Sequence, residues 1–505
     1  MTSINGSQHM ASLALQGLDR SSDVMLRAME KLSSGKRINR ASDDAAGMAI
    51  NLVHKAQTKG LGVSIKHASE AISVVNLVEN TLGNVNDLLL RMRELSVQAS
   101  ADINTNLDRS FMQDEINQIN AEINRMASNS KFNNKHLLDG TYNNNFSISR
   151  DGDAFINLSV NSVDTSSIGS HELNTNVEIT SVQNDHATAV NQLNTQFSSN
   201  ADYVLKGANG KATITMNGGE DAREVARTFN FATGSTGVNA SAVTRAKIKS
   251  VSAGGDVAFT LQGKESKKSI VTAAFEATSN LTSLKDSIND VYGQTGVLAS
   301  LSDDRMSINL VQNDGYNIII GDVTSGANIT VDAIVKNTSG KLVLKGDEQI
   351  LQGSSGNSDS VGIVGQVTLS SGKAFSITPG NNDNHFNSST SDEVSNFTSL
   401  NDIDLTTQLS ASMAMARIDS SLGMIAEMRS DLGAKNVRFQ SIVNNLTNVE
   451  LYTERHIDIL EDANFGAEAT KLAKSQVMQE ASTAMIAQAN NISKFMMSFL
   501  NMFKG

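Results

Sequence analysis

The residues that could do chemistry are few, and none completes a known arrangement. His171-Glu172 opens like a helical zinc-protease motif, in which two histidines one turn apart hold the metal and the glutamate acts as base. Thr175 stands where the second histidine is required, so the pair reads as a loop coincidence. Gly210-Lys211 resembles the end of a phosphate-binding loop, but Ala212 follows and the preceding spaced glycine is missing. The acidic pair Asp303-Asp304 sits in turn-like surroundings, and the eight histidines are otherwise scattered. No G-x-S-x-G nucleophile elbow or paired dinucleotide glycines occur. The chain has no cysteine, which excludes disulfides, thiol catalysis and thiolate metal sites. No catalytic, metal-binding or cofactor-binding residue is expected, no cofactor is expected, and an enzyme is not expected.

The balance of charge points the same way. A net charge of -12 over 505 residues argues against nucleic-acid binding, which normally shows a basic stripe. No run of about 18 apolar residues occurs, so no membrane-spanning helix is expected. The first residues, MTSINGSQHMASLALQG, lack a basic start, a long apolar core and a small-residue cleavage site, so no Sec signal peptide is expected. Tryptophan is absent, aromatics are scarce and Pro379 is the single proline. Helices therefore run uninterrupted by proline.

The elements that could position functional side chains fall into three zones. Residues up to about 135 and from about Asp404 onward read as helix. Between them lie short alternating runs with turn signals every eight to twelve residues, which read as β. The helical zones carry apolar residues at alternating spacings of three and four, the pattern of a coiled-coil seam. Val75, Val78, Leu82, Val85, Leu89 and Met92 keep it without a gap. Met112, Ile116, Ile119, Ile123 and Met126 repeat it on a second helix, after a polar break at SADINTN. Nearer the start, Leu15, Leu18, Met25, Met29 and Leu32 hold the rhythm with Ser22 in one place. Towards the end, Ile418, Ile425, Leu432, Phe439 and Leu446 recur every seventh residue. The last helix offers Met478, Ala481, Met485, Gln488, Ile492, Phe495, Phe499 and Met502.

An ordinary helical bundle uses the same seams, so spacing alone leaves a bundle and a self-assembling chain open. The placement of the seams at both extremities favours termini that pair and enclose the middle as an insertion. The stretch FMMSFLNMF (495–503) would leave much apolar surface bare on a free monomer. It either docks on its own domain or folds when it meets neighbours, and the second is favoured.

In the middle, Asp256 to Leu261 and Met306 to Val311 alternate, and Asn317 to Ile320 forms an apolar run. LTSLKDSIND (281–290) puts Leu281, Leu284 and Ile288 on one helical face, and TGVLASL follows as a strand. The expected unit is β–α–β–β–β. A weaker copy is expected from ATITMNGG (212–219) through VARTFNFATGSTGVNASAV, supported by shared TGV-x-AS elements at 236–241 and 295–300. KLVLKG and GQVTLSS extend the β region. Asn39, Asp43 and Asp44 form a polar turn in which Asp43 or Asp44 caps a helix starting at Ala45. Arg37 and Arg40 either pair with acidic residues of neighbouring copies or are simply solvated.

Long motifs carry a family resemblance. LSSGKRINRASDDAAGMAI (32–50), LLLRMRELSVQAS (88–100) and FNNKHLLDG (132–140) resemble the N-terminal signature of bacterial flagellins. IDSSLGMIAEMRSDLGAKNVRFQSIVNNL (418–446) and LEDANFGAEATKLAKSQVMQEASTAMIAQAN (460–490) are similar to the C-terminal blocks of that family. The chain's ending, SFLNMFKG, departs from the family's short Leu-rich tail.

The resemblance implies a multidomain α plus β fold. Terminal helices pair as an antiparallel coiled-coil core, and the middle is inserted as β-rich outer domains. The implied division is an inner core of 1–44 with 460–505, and a helical spoke with a small β-hairpin from 45–175 with 400–459. A surface-exposed variable region covers 176–399, as two subdomains of about 176–250 and 251–399. It implies a structural subunit that polymerises into the extracellular flagellar filament for motility, exported through a type III apparatus. The implied partners are other copies of itself, hook-associated and cap proteins, and a cytoplasmic export chaperone on the C-terminal helix. A host Toll-like receptor is a further implied partner, sensing Arg91, Leu95 and Glu115. A hook–filament junction protein is the nearest alternative. A flagellin whose middle acts as an adhesin or displayed enzyme is another, and the Ser/Thr-rich middle is a candidate for O-glycosylation.

Overall fold

The computed structural model describes residues 2–101, 103–183, 201–216, 219–252, 256–264, 268–274, 280–302, 304–323, 328–353, 358–380, 386 and 392–502. Asp303 lies outside them, as do parts of the Ser/Thr-rich middle. Helix α1 spans Thr2–Ser34, α2 Ala45–Ala99 and α3 Asn106–Asn129. In the middle, α4 spans Ala222–Phe231 and α5 Thr282–Asp290. The chain ends in α6, Gln408–Glu461, and α7, Phe465–Met502. It divides into two compact units. One comprises 1–76, 143–158 and 433–505, and the other 77–142 and 159–432, so α2 and α6 contribute to both.

The first unit is helical. α1 and α7 pair antiparallel, and the hairpin Asn143–Ser147 with Phe155–Ser159 packs beside α2 and α6. Its apolar cluster joins Ala68 and Ala71 of α2, Ile156 of the hairpin and Phe439 of α6. The Phe146 ring meets Phe439 edge-on, with centroids 6.0 Å apart.

The second unit carries α3, part of α2, part of α6 and the β sheets. α3 starts in a capping box: Thr105 Oγ1 accepts from the Asp108 amide, and the Asp108 carboxylate accepts from the Thr105 amide. That explains the helix break, because Thr105 and Asp108 satisfy amide donors at the new start. Arg109, buried, donates to the carbonyls of Ala99 (2.9 Å) and Ala101 (2.9 Å), closing the end of α2.

The strand Asn239–Ser252 is the spine of the largest sheet. It pairs with Ile308–Gln312, Asn328–Lys336 and Gln366–Ser371, all antiparallel. The expected subdomain boundary at 250/251 falls inside this strand, and its ladders tie both sides into one sheet. A five-stranded sheet orders Lys268–Ala274, Asp256–Gln262, Ile318–Gly321, Ser358–Ile363 and Ile179–Gln183. The expected β–α–β–β–β unit therefore gains a strand, Lys268–Ala274, between its first strand and α5. The charged stretch leading into that strand masks an alternation in which Ser269, Val271 and Ala273 are buried.

The internal repeat is visible atom by atom. Asn230, late in α4, brackets Ala240 by donating to its carbonyl and accepting from its amide, both at 2.8 Å. Asn289, late in α5, does the same to Ala299 at 3.0 and 2.8 Å. In each copy a short helical turn ends on a left-handed glycine, Gly237 or Gly296. The TGV-x-AS likeness thus marks a shared helix-to-strand turn, where only glycine takes that backbone without strain.

His171 and Glu172 are not in a loop. They lie in the strand Gly169–Asn174, where Glu172 is buried and pairs with buried Lys336 at 2.5 Å. Burial pushes the Lys336 ammonium below its ordinary pKa, against the pull of Glu172.

Candidate assembly surface

The central seams of α2, α3 and α6 lie inside. Val75, Val78, Leu82, Val85, Leu89 and Met92 are buried, as are Ile116 and Ile123. Ile418, Ile425, Leu432, Phe439 and Leu446 are buried along α6. On α2 the three-four rhythm extends further than expected, through Leu61, Ser64, Ala68, Ala71, Ser96 and Ala99.

The terminal pair follows a different rule. On α1 the buried stripe is Ala14, Ser21 and Ala28, every seventh residue, with half-buried Leu18, Met25 and Leu32 between them. Leu15, expected in the seam, is 50% exposed, and Met29 is exposed beside it. On α7 the facing stripe is Glu468, Ser475, Ser482 and Ala489, again every seventh residue, with Leu472, Gln479 and Ile486 half-buried. The expected C-terminal seam is off this face: Met485 is 58% and Phe495 77% exposed, with Met478, Ile492 and Met502 exposed as well. The Phe499 side chain lies outside the described residues.

The reason is steric. Small residues let two helix backbones approach closely, and a Cβ on Gly17 would sit only 3.3 Å from Ser482 Oγ. The large apolar side chains are displaced to the flanks, where they point away from the partner helix. The signal was present as a seven-residue recurrence of Ala and Ser, hidden beneath bulkier neighbours.

A polar joint fastens the pair to α2. The chain leaves α1 through Gly35, at a φ of 72°, and the Lys36 backbone forms an isolated antiparallel β-bridge with Asp462. The Arg37 amide donates to the Glu461 carbonyl at 2.6 Å, and the Ala463 amide to the Gly35 carbonyl at 2.9 Å. The buried Glu461 carboxylate takes Lys36 at 2.5 Å, Lys55 at 2.6 Å and Asn51 Nδ2 at 3.0 Å. Burial alone would raise its pKa. The hydrogen bonds from Lys36, Lys55 and Asn51 outweigh that and hold it at about 2.

The signature turn resolves cleanly. Asp44 Oδ1 accepts from the Gly47 amide at 2.9 Å and caps α2. Asp43 instead closes the turn, accepting from the Arg40 and Asn39 amides, which lower its pKa. Arg37 donates to the Leu460 carbonyl at 2.9 Å, and Arg40 pairs with Glu30 at 3.1 Å. Both arginines are thus engaged within the chain.

Arg91 donates to Glu115 across two helices at 2.8 Å and to Glu94 at 3.1 Å, and both partners remain exposed. Leu95, implied by the resemblance as a receptor contact, is 2% exposed. It falls one turn on from Met92 and turns inward with it. Among the described residues no group of three or more metal-ligating side chains occurs, and no helix is long and apolar enough to cross a membrane.

Comparison with known proteins places these features. The profile of the bacterial flagellin N-terminal helical region matches residues 5–143, and that of the C-terminal helical region matches residues 415–500. The B-type flagellin of Pseudomonas aeruginosa is 27% identical over 497 residues, 97% of this chain and 98% of that one. A flagellin of Salmonella typhimurium is 25% identical over 99% of this chain and all of that one. A Clostridium tyrobutyricum flagellin is 47% identical over 132 residues, 26% of this chain and 35% of that one. The solved structure of flagellar hook associated protein-3 from Legionella pneumophila covers 81% of this chain and 99% of that chain, at 12% identity and a TM-score of 0.34. That of FliC from Burkholderia pseudomallei covers 73% and 99%, at 15% identity and a TM-score of 0.29. Scores this low establish no shared arrangement. The two terminal helical regions and the near full-length flagellin relatives are sufficient: the chain belongs to the bacterial flagellin family.

Proposed function

We propose that this flagellin is a structural subunit that polymerises through its paired terminal helices into the extracellular flagellar filament. One observation carries the mechanism. The α1–α7 pair uses small residues inward and leaves large apolar residues outward: Leu13, Leu15, Leu26 and Met29 on α1, and Val477, Met478, Met485 and Phe495 on α7. A monomer gains nothing from that surface. Burying it against neighbouring copies is favourable by roughly 25 cal/mol per Å2 of apolar area removed from water. Contacts that do not close into a ring build an open helical polymer.

In this reading 1–44 with 460–505 form the inner core, 45–175 with 400–459 the spoke, and 176–399 the solvent-facing region. Leu15, Met485, Ile492, Phe495 and Phe499 serve contacts between copies, whereas Leu18, Met25 and Leu32 serve the pair itself. Hook-associated and cap proteins meet the same terminal surfaces at the filament's ends. An export chaperone covers the outward apolar face of α7 before assembly. Recognition by a host Toll-like receptor rests on Arg91 and Glu115, and is tested by the reporter response to Arg91→Ala and Glu115→Ala monomers.

The deciding experiment is seeded polymerisation followed by electron microscopy, with the full chain and with residues 460–505 removed. The full chain should elongate seeds, and the shortened chain should stay a soluble monomer. A full chain that stays monomeric on seeds with its termini ordered would overturn the proposal.

A further inference from the structure

A second surface, separate from the terminal apolar faces, is built for a partner of defined charge. In the helical unit, α2 and α6 run antiparallel and leave a groove of about 730 Å3 between them. One wall is basic, with Lys55, Lys59 and Lys66 of α2. The other is acidic, with Glu450, Glu454 and Asp458 of α6, and Gly62, Val63 and Ile457 also line it. Lys55 is spent on Glu461 and Lys66 lies 3.9 Å from Glu70. Lys59, Glu450, Glu454 and Asp458 make no ion pair among the described residues, although opposite charges face one another across the groove. The two helices meet at the floor of the groove, where a Cβ added to Gly62 would sit 3.3 Å from Glu450 Oε1, so a third element would lie along its open mouth.

The outward face of α1 carries the complement. Asp19, Asp23 and Glu30 form one row, of which Glu30 is already held by Arg40 at 3.1 Å, and Arg20 and Arg27 form the row beside it. Asp19, Arg20, Asp23 and Arg27 are exposed and make no ion pair among the described residues. The spacing matches as well as the sign. Asp19, Asp23 and Glu30 stand at i, i+4 and i+11, and Lys55, Lys59 and Lys66 stand at i, i+4 and i+11. A helix rises about 1.5 Å per residue, so two helices side by side in the same direction keep three such rows in register. Arg20 and Arg27, about 10 Å apart by that rise, then face Asp458 and Glu450 across the other wall. In its own chain α1 is paired with α7, and Lys55 is held by the joint below α1, so the complementary helix comes from elsewhere.

We infer that the α2–α6 groove receives the charged outer face of α1 from a second copy of this chain. This contact rests on the polymerising function proposed above and adds to it a specificity element. The apolar faces supply affinity, and the paired charge rows fix the register in which copies meet. Exposed ion pairs are individually weak and screened by salt, so their effect is on alignment and rate of addition.

The chain has no cysteine, so single-cysteine variants report contacts without background. Asp23→Cys and Lys59→Cys chains, mixed and grown together on seeds, should give an Asp23→Cys to Lys59→Cys disulfide in filaments and none in the monomer mixture. In a second arm, Asp23→Lys should slow seeded elongation on the order of tenfold at low salt, and adding Lys59→Asp to the same chain should restore it. Neither residue makes an ion pair among the described residues, so circular dichroism should show all variants folded. Filaments that form without the mixed disulfide, or a charge swap that fails to rescue, would overturn this contact while leaving polymerisation standing. Failure of the unaltered chain to elongate seeds would instead sink the polymerising function itself.

Discussion

Glu461 shows how one side chain can hold a junction. It is the last residue of α6, it is buried, and it takes donors from the α1–α2 turn and from α2. Its pKa of about 2 lies below the ordinary 4.5, so the folded state prefers the carboxylate. That preference contributes stability fully at pH above about 4.5 and loses it as pH falls towards 2. Glu461→Gln should cost about 1–3 kcal/mol at neutral pH, with the difference in thermal stability shrinking between pH 4.5 and 2. A difference that stayed constant across that range would remove the carboxylate from the explanation. A deeper pair makes the harsher case. Glu172 and Lys336 are both buried, so Glu172→Gln strands a cation in the sheet and should cost about 3–5 kcal/mol, read by denaturant unfolding.

At the scale of helices, inward and outward faces should respond in opposite ways. Ser482→Leu on the close face of α7 forces the pair apart and should destabilise the monomer by about 1–3 kcal/mol. Leu15→Ala and Met485→Ala on the outward faces should change monomer melting by under about 0.5 kcal/mol and still suppress filament growth. If Leu15→Ala melts the monomer like a core truncation, the outward assignment is wrong. The legibility of these helices divides along the same line. Where large apolar residues form the seam, as from Val75 to Met92 or Ile418 to Leu446, spacing alone identified the buried face. Where Ala and Ser form it, the bulkier residues beside them drew part of the expected seam outward: Leu15 and Met29 on α1, and Met478, Met485, Ile492 and Phe495 on α7, whereas Leu18, Met25 and Leu32 flank the pair. Leu95 failed for a related reason, because a leucine one turn from a seam methionine is drawn inward whatever its polar neighbours do. Glu172 was unreadable because its partner, Lys336, is distant in sequence and only the sheet brings them together. The joint at Glu461 was likewise invisible: its donors Lys36, Asn51 and Lys55 converge only once α1, α2 and α6 meet.

For the whole molecule, the question is whether the β-rich middle is needed for assembly. Its entry and exit are neighbours: the Leu400 amide donates to the Ile168 carbonyl at 2.9 Å, and Gly169 pairs with Ser399 in the next rung. Residues 169–399 thus leave and re-enter the helical framework at one place, as an inserted domain should. Among the described residues, the apolar clusters there are internal to the sheets and the helices α4 and α5, and include no residue of α1, α2, α6 or α7. The outer faces of α1 and α7 and the groove between α2 and α6 all lie in the other compact unit. Replacing 169–399 with a short Gly-Ser turn from Ile168 to Leu400 should therefore leave a helical protein that still elongates seeds, giving thinner filaments by electron microscopy. The deletion removes the exposed Lys373–Glu427 ion pair, worth about 1 kcal/mol or less, and the bond from Arg417 of α6 to the Ser399 carbonyl, while Arg417 keeps the Asp402 carbonyl. A truncated chain that folds by circular dichroism and yet never elongates seeds would show that contacts between the β-rich regions are required for the polymer, and that the terminal helices do not suffice.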